Sequence, residues 1–507
     1  MKELNLSSEQ TVLAVLLVII IIAVPCYRFL SYSIDSVFYP TEIDPGEGIT
    51  LNEAYMIKEN IPIYKDIDSY PYIQVCYPPL YLWFLSTIMP ENTLTYYAIG
   101  RIMALISSMG VALLIYLILK HYTKSYLISI AGIGIYVSSF LIIQWSSLAR
   151  IDFPGIFMMM LGLFMYIKNL EKKNTIARFY VIPLICGILI KHTLIAVPLS
   201  IISASILSKD EENIRTVLFG FIITAITFLT INFFTDDGFF NHIFIFSSSF
   251  WDINLILRKF FIINILMALP FITIWFADKS RFYKKYSLLT FLVVFSLIET
   301  FAMAREGCNT NFRLEFSVAM TIIISILLFE FLNARHLFGA VMLYILILLS
   351  WFFPNGEPRK LTEWKNYHAL QKRVDNINQI IKNTEGPILT HHACWALFND
   401  KDFLFDAFGM SSMSWAKLWN EKPIIDDIKN SKFSLVVLQK SVDTPQDEPG
   451  YRVWTGQILR TIRDSYKLYT EDIGTYIYIP KKAQQKQEKD SRQNKGYITG
   501  KRPPKTR

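Results

Sequence analysis

The sequence predicts a mainly α-helical, polytopic membrane protein with about eleven transmembrane helices, followed by a small extracytoplasmic α/β domain. Hydrophobic residues make up 52% of its 507 residues. Most of them lie in blocks long enough to cross a bilayer, which takes about 20 residues as a helix. Residues 360–480 instead alternate short apolar runs with amphipathic runs. We therefore predict a membrane domain at 1–353, an α/β domain at 354–480 and a tail at 481–507.

The apolar blocks define the predicted membrane spans. The first, residues 11–30, follows a short polar N-terminus and has no small-residue cleavage site, so we interpret it as a retained anchor. The other blocks centre near residues 108, 134, 160, 185, 201, 224, 267, 293, 322 and 344.

Basic residues in the loops predict the orientation. The loops that are mostly rich in Lys and Arg are predicted to face the cytoplasm, and they are 120–124, 168–178, 208–215, 278–285 and 333–336. The alternate loops are longer, of mixed charge, and are predicted to face outward. In a cytoplasmic (inner) membrane, the N-terminus is then cytoplasmic and everything after Trp351 is extracytoplasmic.

The region after the membrane domain has the pattern of a small α/β domain. Short β-like runs at 386–392, 433–439 and 475–480 alternate with helical runs at 361–383 and 451–467. The first β-like run ends in two adjacent histidines, His391 and His392. Neighbouring side chains on a strand point to opposite faces, so we interpret both as structural.

The tail explains the net charge of the protein. From Lys481 onward it carries seven Lys and three Arg against Glu488 and Asp490, which accounts for the whole formal charge of +8. Its composition predicts disorder. The rest of the chain is balanced in charge, so nothing indicates a nucleic-acid-binding domain.

The loop after the first span, residues 32–96, is too long for a plain connector and is strongly acidic near its start. Asp44, Pro45 and Gly46 have the pattern of a tight turn, and residues 50–53 match a capping box, which predicts a helix from there to about Asn60. Asp44 and Glu47 would then lie just ahead of a helix N-terminus, where the helix dipole favours ionised carboxylates. Such carboxylates accept protons or coordinate cations.

An aromatic segment and an arginine follow this acidic stretch. Residues 77–85, YPPLYLWFL, predict an interfacial helix lying along the membrane. Gly100 and Arg101 then open the second span. Arg101 either extends to the lipid headgroups or clamps a phosphate, for which a planar guanidinium is well suited.

Two further outer segments place charges between very apolar stretches. Arg150 and Asp152 are costly near lipid unless they face a polar cavity or form a structural ion pair with each other. Lys191 and His192 form either a simple turn between spans or a second positive site.

The outer segment 304–317 is densely polar at the start of another span. It contains Gly307, Asn311, Phe312, Arg313 and Glu315. The segment is either a solvated loop or a binding surface.

Taken together, the first-span anchor, the acidic outer loop, the YPPLY segment and the Gly-Arg opening of the second span resemble the C-type glycosyltransferase fold. The likeness is greatest to the branch that holds protein O-mannosyltransferases, the lipid A aminoarabinose transferase and bacterial relatives, and it covers roughly residues 1–350. Relatives usually carry the acidic pair side by side, as Asp-Glu, and many bacterial sequences of this type carry a spaced D-x-G-E-G. Here Pro45 and Gly46 separate Asp44 from Glu47, so both stay candidates for the catalytic base.

The resemblance implies transfer of a hexosyl or pentosyl group from a polyprenyl-phosphate sugar to a hydroxyl of a glycan, lipid or protein, with inversion. It implies catalytic roles for Asp44, Glu47 and Asp152, which could also hold a divalent cation, Mg²⁺ or Mn²⁺, although the residues do not demand one. The donor-phosphate and substrate-binding candidates are Arg101, Arg150, Lys191, His192, Asn311, Arg313 and Glu315.

Two other classes of function stay open. A transporter or flippase of lipid-linked sugars would explain the spans, but transporters usually place their ionisable residues mid-membrane in broken helices. A non-catalytic subunit of a cell-envelope assembly complex would use the outer domain for docking.

Overall fold

The computed structural model describes residues 8–172, 175–247, 279–305, 308–333, 366–444 and 453–481. Contacts divide the chain into two compact units. The membrane unit comprises residues 1–39, 53–65 and 75–365, and the C-terminal unit comprises residues 40–52, 66–74 and 366–507. Parts of the acidic loop thus cluster with the C-terminal domain rather than with the spans that flank them. The predicted boundary at 353/354 and the tail after Lys481 lie outside the described residues.

The described part of the chain is mainly helical, which confirms the predicted fold class. Its helices up to residue 333 are α1 (Ser8–Val37), α2 (Pro45–Lys58), α3 (Leu80–Ile88), α4 (Tyr96–Thr123), α5 (Tyr126–Ser138), α6 (Phe140–Trp145), α7 (Asp152–Lys172), α8 (Val181–Ile190), α9 (Ala196–Ser208), α10 (Glu211–Phe234), α11 (Gly238–Phe240), α12 (Lys279–Glu299) and α13 (Leu314–Asn333). Short 3₁₀ turns at Thr300–Ala304 and Thr310–Arg313 separate α12 from α13.

Five segments of the described chain are long and apolar enough to span a membrane, and they fall within or around α4, α7, α10, α12 and α13. Helices α5, α8 and α9 are apolar but shorter. The predicted spans near residues 267 and 344 lie outside the described residues, so the number eleven stays a prediction. The chain is a multi-pass membrane protein.

Two of these helices have opposite surroundings. Helix α10 starts with an Asp210 cap, whose carboxylate accepts the backbone N–H of Asn213 at 3.2 Å, and it exposes large apolar side chains such as Phe219 and Ile226. Such an apolar face fits lipid. Helix α13 is instead buried along residues 314–327. A helix packed on all sides gives the residues at its start a fixed position.

The C-terminal unit contains a four-stranded sheet with strand order β1-β2-β4-β3. Strands β1 (Ile388–Thr390) and β2 (Leu435–Leu438) are parallel, whereas β4 (Thr475–Pro480) is antiparallel to both β2 and β3 (Tyr466–Asp472). The helices of this unit are α14 (Tyr367–Lys382), α15 (Ala393–Leu397), α16 (Ala407–Trp415), α17 (Lys422–Lys429) and α18 (Gly456–Ser465).

Strand β3 was not predicted from the sequence, and the helical run predicted for 451–467 ends at Ser465. The sheet turns between β3 and β4 through Ile473 and Gly474, both of which have positive φ. Two such residues in succession form the tight turn that matches the twist of a hairpin.

The acidic stretch differs from its prediction in one respect. Helix α2 starts at Pro45, five residues before the predicted capping box, so residues 50–53 lie inside the helix. Pro45 occupies the first helical position, where its missing N–H costs nothing. The Thr50 hydroxyl donates back to the carbonyl of Gly46 at 2.9 Å instead of capping a helix.

Candidate functional site

Asp152 is the centre of a buried polar cluster in the membrane unit. Its Oδ1 accepts hydrogen bonds from Lys191 Nζ at 3.0 Å and Asn311 Nδ2 at 2.9 Å. Its Oδ2 accepts from Arg150 Nε at 3.2 Å. Four of the residues predicted from sequence, in three separate parts of the chain, therefore meet around one carboxylate.

Helix ends position these side chains. Asp152 is the first residue of α7, and Lys191 directly follows α8 with an extended backbone conformation. Asn311 lies in the 3₁₀ turn that precedes α13. Because α7 packs against α8, the start of one helix and the end of the other are brought together. The cluster thus lies where several helices begin or end.

Aromatic rings complete the surroundings of the two cations. The guanidinium of Arg150 lies 5.3 Å from the ring centroid of Trp145, and Arg150 Nη2 donates to the Tyr77 hydroxyl at 3.4 Å. The ammonium of Lys191 lies 4.4 Å from the ring centroid of Phe312. These contacts stabilise positive charge on both side chains.

Electrostatics keep the cluster charged. Burial disfavours the ammonium of Lys191, but the carboxylates of Asp152 and Glu299 outweigh this effect and raise its pKa above the usual value. Burial raises the pKa of Tyr77 to about 12, so its hydroxyl remains protonated. The immediate group around Asp152 therefore carries two cations against one anion.

A second acidic group, which includes one residue missed from the sequence, lies beside Lys191. The carboxyl groups of Glu299, at the end of α12, and Glu315, at the start of α13, lie against each other. Glu299 also faces Lys191 and the hydroxyl of Thr193. Glu299 ends a long apolar block, and nothing in its local sequence distinguishes it from a span-end carboxylate.

Several buried polar atoms near Lys191 lack a hydrogen-bond partner within the described residues. They are Nδ1 of His192, Nε of Arg305 and Oδ1 of Asn311. Burial, together with the charges of Arg305 and Lys191, lowers the pKa of His192 to about 4, so this imidazole is neutral near pH 7. Buried polar groups in native proteins are nearly always paired, so these atoms are candidates for contact with a polar ligand.

Arg101 and Arg313 are buried elsewhere in the same unit. Arg101 Nη1 donates to the carbonyl of Tyr39 at 2.7 Å, and its guanidinium lies 5.3 Å from the ring centroid of Tyr97. Arg101 is thus buried rather than extended to headgroups. Arg313 lies in the 3₁₀ turn beside Asn311. Neither arginine is among the described partners of Asp152 or Lys191.

Asp44 and Glu47 belong to the C-terminal unit, so their predicted assembly with Asp152 stays a prediction. Asp44 Oδ1 accepts the backbone N–H of Gly46 at 3.0 Å and so caps α2. Glu47 Oε2 accepts the backbone N–H of Ile43 at 2.8 Å. The Glu47 carboxylate thus supports the fold of the segment that carries Asp44.

The fold and this cluster define the chain as a polytopic membrane protein of the C-type glycosyltransferase fold. No family model and no curated protein sequence matches it. Among solved structures, ArnT from Cupriavidus metallidurans in the apo state is 12% identical with a TM-score of 0.57, covering 92% of this chain and 98% of that one. AglB, an oligosaccharyltransferase from Archaeoglobus fulgidus, is 12% identical with a TM-score of 0.53, covering 91% and 74%. These similarities confirm the predicted fold.

One structure of the A. fulgidus enzyme, 14% identical with a TM-score of 0.50 and covering 91% of this chain and 73% of that one, is a complex with Zn and sulfate. In the present chain both oxygens of Asp152 already accept from Lys191, Asn311 and Arg150. No group of three or more His, Cys, Asp or Glu side chains in the described residues could hold a metal ion. A divalent cation held by Asp44, Glu47 and Asp152 stays a prediction, because these residues belong to two separate units.

Proposed function

We propose that this protein transfers a glycosyl group from a polyprenyl-phosphate-linked sugar to an acceptor hydroxyl at the outer face of the cytoplasmic membrane. The observation that carries the proposal is a set of polar groups beside Asp152: the buried ammonium of Lys191, with Nδ1 of His192 and Nε of Arg305, two atoms that have no hydrogen-bond partner within the described residues. Fixed cations and N–H donors of this kind suit a phosphate ester.

The solved relatives support a lipid-linked donor. A second ArnT structure is bound to undecaprenyl phosphate, and the AglB structure holds a dolichol-phosphate and an inhibitory peptide. By analogy, the acceptor of the present chain is a glycan, a lipid or a protein.

The proposed reaction is a single displacement. The acceptor oxygen bonds to the anomeric carbon while the bond from that carbon to the phosphate oxygen breaks, which inverts the anomeric centre. The electron pair of the broken bond stays on the polyprenyl phosphate. Lys191 and Arg305 stabilise that charge, with Arg101 and Arg313 as further proposed phosphate partners.

The acceptor proton goes to a carboxylate. We assign this role to Asp44, with Glu47 as the alternative, because Glu47 Oε2 accepts the backbone N–H groups of both Ile43 and Asp44, whereas Asp44 Oδ1 accepts that of Gly46. Asp152 remains ionised and orients Lys191 and Arg150, while Asn311 and Glu315 contact the sugar.

The test is transfer by purified protein. Undecaprenyl-phosphate hexoses and pentoses are supplied singly, with an envelope fraction from cells that lack the protein as the acceptor source. Mass spectrometry follows the glycosylated product and the released undecaprenyl phosphate. We expect wild-type protein to form product and Asp152→Asn to lose about 10²-fold or more. Glu211→Gln, an exposed control at the start of α10, should match wild type. Intact donor in every wild-type reaction would refute the proposal.

A further inference from the structure

The acidic segment, defined as residues 40–52, is fixed to the C-terminal domain by a buried hydrogen bond between two side chains. Glu42 Oε2 lies 2.6 Å from Nδ1 of His392, and the two side chains are 1% and 14% exposed. The other oxygen, Glu42 Oε1, accepts the backbone N–H of Cys394 at 2.8 Å. Both oxygens of this carboxylate are therefore held by residues about 350 positions away in the chain.

The position of Glu42 is transmitted directly to Asp44. The residue between them, Ile43, donates its N–H to Glu47 Oε2 at 2.8 Å. The backbone N–H of Glu47 in turn donates to the carbonyl of Asp44 at 2.9 Å, and that of Gly46 to Asp44 Oδ1 at 3.0 Å. These bonds lock residues 42–47 into one arrangement, so a shift of Glu42 displaces Asp44.

A second stretch of the same loop, residues 66–74, is fixed to the same unit. The N–H of Tyr72 donates to the carbonyl of Leu404 at 2.9 Å, and its carbonyl accepts from the N–H of Asp406 at 2.8 Å. The Tyr70 hydroxyl donates to Asp427 Oδ2 at 2.7 Å. Two separate stretches of the loop therefore rest on the C-terminal domain.

The neighbouring residue, His391, packs its ring against that of His392. The prediction that His391 and His392 occupy opposite faces of a strand was wrong, because β1 ends at Thr390 and the two ring centroids lie 4.7 Å apart. Trp454 Nε1 donates to His391 Nδ1 at 3.1 Å, which fixes the buried His391 ring. The paired rings thus give His392 a defined direction toward Glu42.

We propose that His392 is a positioning residue for the transfer reaction: the C-terminal domain holds the proposed base Asp44 in place through the His392–Glu42 pair. This inference rests on the proposed function. It gives the C-terminal domain a role in turnover rather than in docking alone.

The test combines kinetics with hydrogen exchange on the full-length protein. Misplacing a catalytic group by about 1 Å can cost about 10²-fold in rate. We therefore expect His392→Ala to lower kcat about 10- to 100-fold, with the KM for the lipid-linked donor within about twofold of wild type. His392→Asn keeps an N–H donor near the position of Nδ1 and should recover most of kcat. Arg373→Ala, which breaks the Arg373–Asp472 pair of the same unit, is the matched control and should leave kcat unchanged.

Hydrogen exchange measures whether His392 holds the acidic segment in place, and it does so without depending on sugar transfer. Backbone amides of residues 40–47 should exchange faster in His392→Ala than in wild type, and as slowly as wild type in His392→Asn. Unchanged exchange, or wild-type kcat in His392→Ala, would overturn the inference. If wild type transfers no sugar while His392→Ala still exchanges faster, the proposed function fails and with it the catalytic role of His392, whereas the structural link between His392 and the segment stands.

Discussion

The ammonium of Lys191 lies 3.0 Å from Oδ1 of Asp152, and both side chains are at most 2% exposed. They come from different helix ends, yet neither has bulk water to stabilise its charge. A buried pair of this kind costs about 3–5 kcal/mol when only one partner is removed, because the other charge is left without compensation.

This relationship predicts a double-variant result. Lys191→Met should lower the free energy of unfolding by about 3 kcal/mol or more. Combining it with Asp152→Asn should restore part of that loss, because the buried carboxylate is then gone and Arg150, which loses its partner Asp152, keeps its contacts with Trp145 and Tyr77. Sugar transfer should stay at least about 10²-fold below wild type in the double variant. Thermal unfolding in detergent, read with the transfer assay, measures both.

An exposed ion pair provides the control for that experiment. Lys285 Nζ lies 2.8 Å from Glu330 Oε1, and both side chains are more than a third exposed. Lys285→Met should cost less than about 1 kcal/mol and leave transfer unchanged. If Lys191→Met lowered the free energy of unfolding no more than Lys285→Met, the buried Lys191–Asp152 pair would stabilise the protein no more than an exposed pair does.

The two candidate bases of the acidic segment, Asp44 and Glu47, should respond differently to neutralisation of their carboxylates. Asp44→Asn should abolish transfer while leaving the protein folded and inserted, because the amide can still cap α2 but cannot accept a proton. Glu47→Gln keeps an acceptor for the Ile43 N–H and should retain measurable transfer. Full loss in Glu47→Gln with turnover in Asp44→Asn would reverse the assignment of the base.

His192 should make the protein less stable in mild acid. Burial holds the pKa of its folded form at about 4, against about 6.5 in an unfolded chain. Between these values the unfolded chain binds a proton that the folded protein does not, so the free energy of unfolding falls as pH decreases from 6.5 to 4. The loss should reach about 2–3 kcal/mol. His192→Gln should remove this dependence, as followed by melting temperatures at pH 7 and pH 5.

A matched variant separates this effect from general acid sensitivity. His368→Gln, at an exposed position of α14, should keep the wild-type change between pH 7 and pH 5. If His192→Gln and His368→Gln showed the same change in melting temperature between pH 7 and pH 5, His192 would not be the group that causes the loss of stability in acid.

Asp406 should make the protein less stable as pH rises, which is opposite to the effect of His192. Burial raises its pKa to about 6, although backbone N–H groups of Gly409, Phe408 and Gln74 partly oppose this. Between pH 3.8 and 6 the unfolded chain has lost a proton that the folded protein retains, so the free energy of unfolding falls as pH rises through this window. Asp406→Asn keeps the cap on α16 and should be more stable than wild type at pH 7 by about 2–3 kcal/mol. Asp402→Asn, an exposed neighbour, should show no gain in the same melting series.

The sequence marked Asp152 and the residues around it as site candidates without predicting which of them meet, and the reason is local. Arg150, Asp152, Lys191 and Asn311 each interrupt or border a very apolar stretch, where a polar side chain is costly unless it has a partner. Interruptions of this kind can be recognised without knowing which residues meet.

Other features depend on contacts that local patterns do not encode. The start of α2 at Pro45 was missed because residues 50–53 mimic a cap that the chain does not use. In strand β3 the apolar residues do not alternate with polar ones in burial, since Leu468 and Tyr469 are both exposed, so the segment lacks the pattern of a half-buried strand. The His392–Glu42 pair joins residues about 350 positions apart, and nothing near either residue indicates the other.

We have proposed that this chain breaks the bond between a sugar and its lipid phosphate, with Asp44 as the base. The most direct measurement is the release of polyprenyl phosphate from a labelled polyprenyl-phosphate sugar in proteoliposomes that contain acceptor, for wild type and Asp44→Asn in parallel. We expect wild type to release polyprenyl phosphate in step with product formation, and Asp44→Asn to release none above background. Donor that changes leaflet with its sugar–phosphate bond intact, or equal release by both proteins, would contradict it.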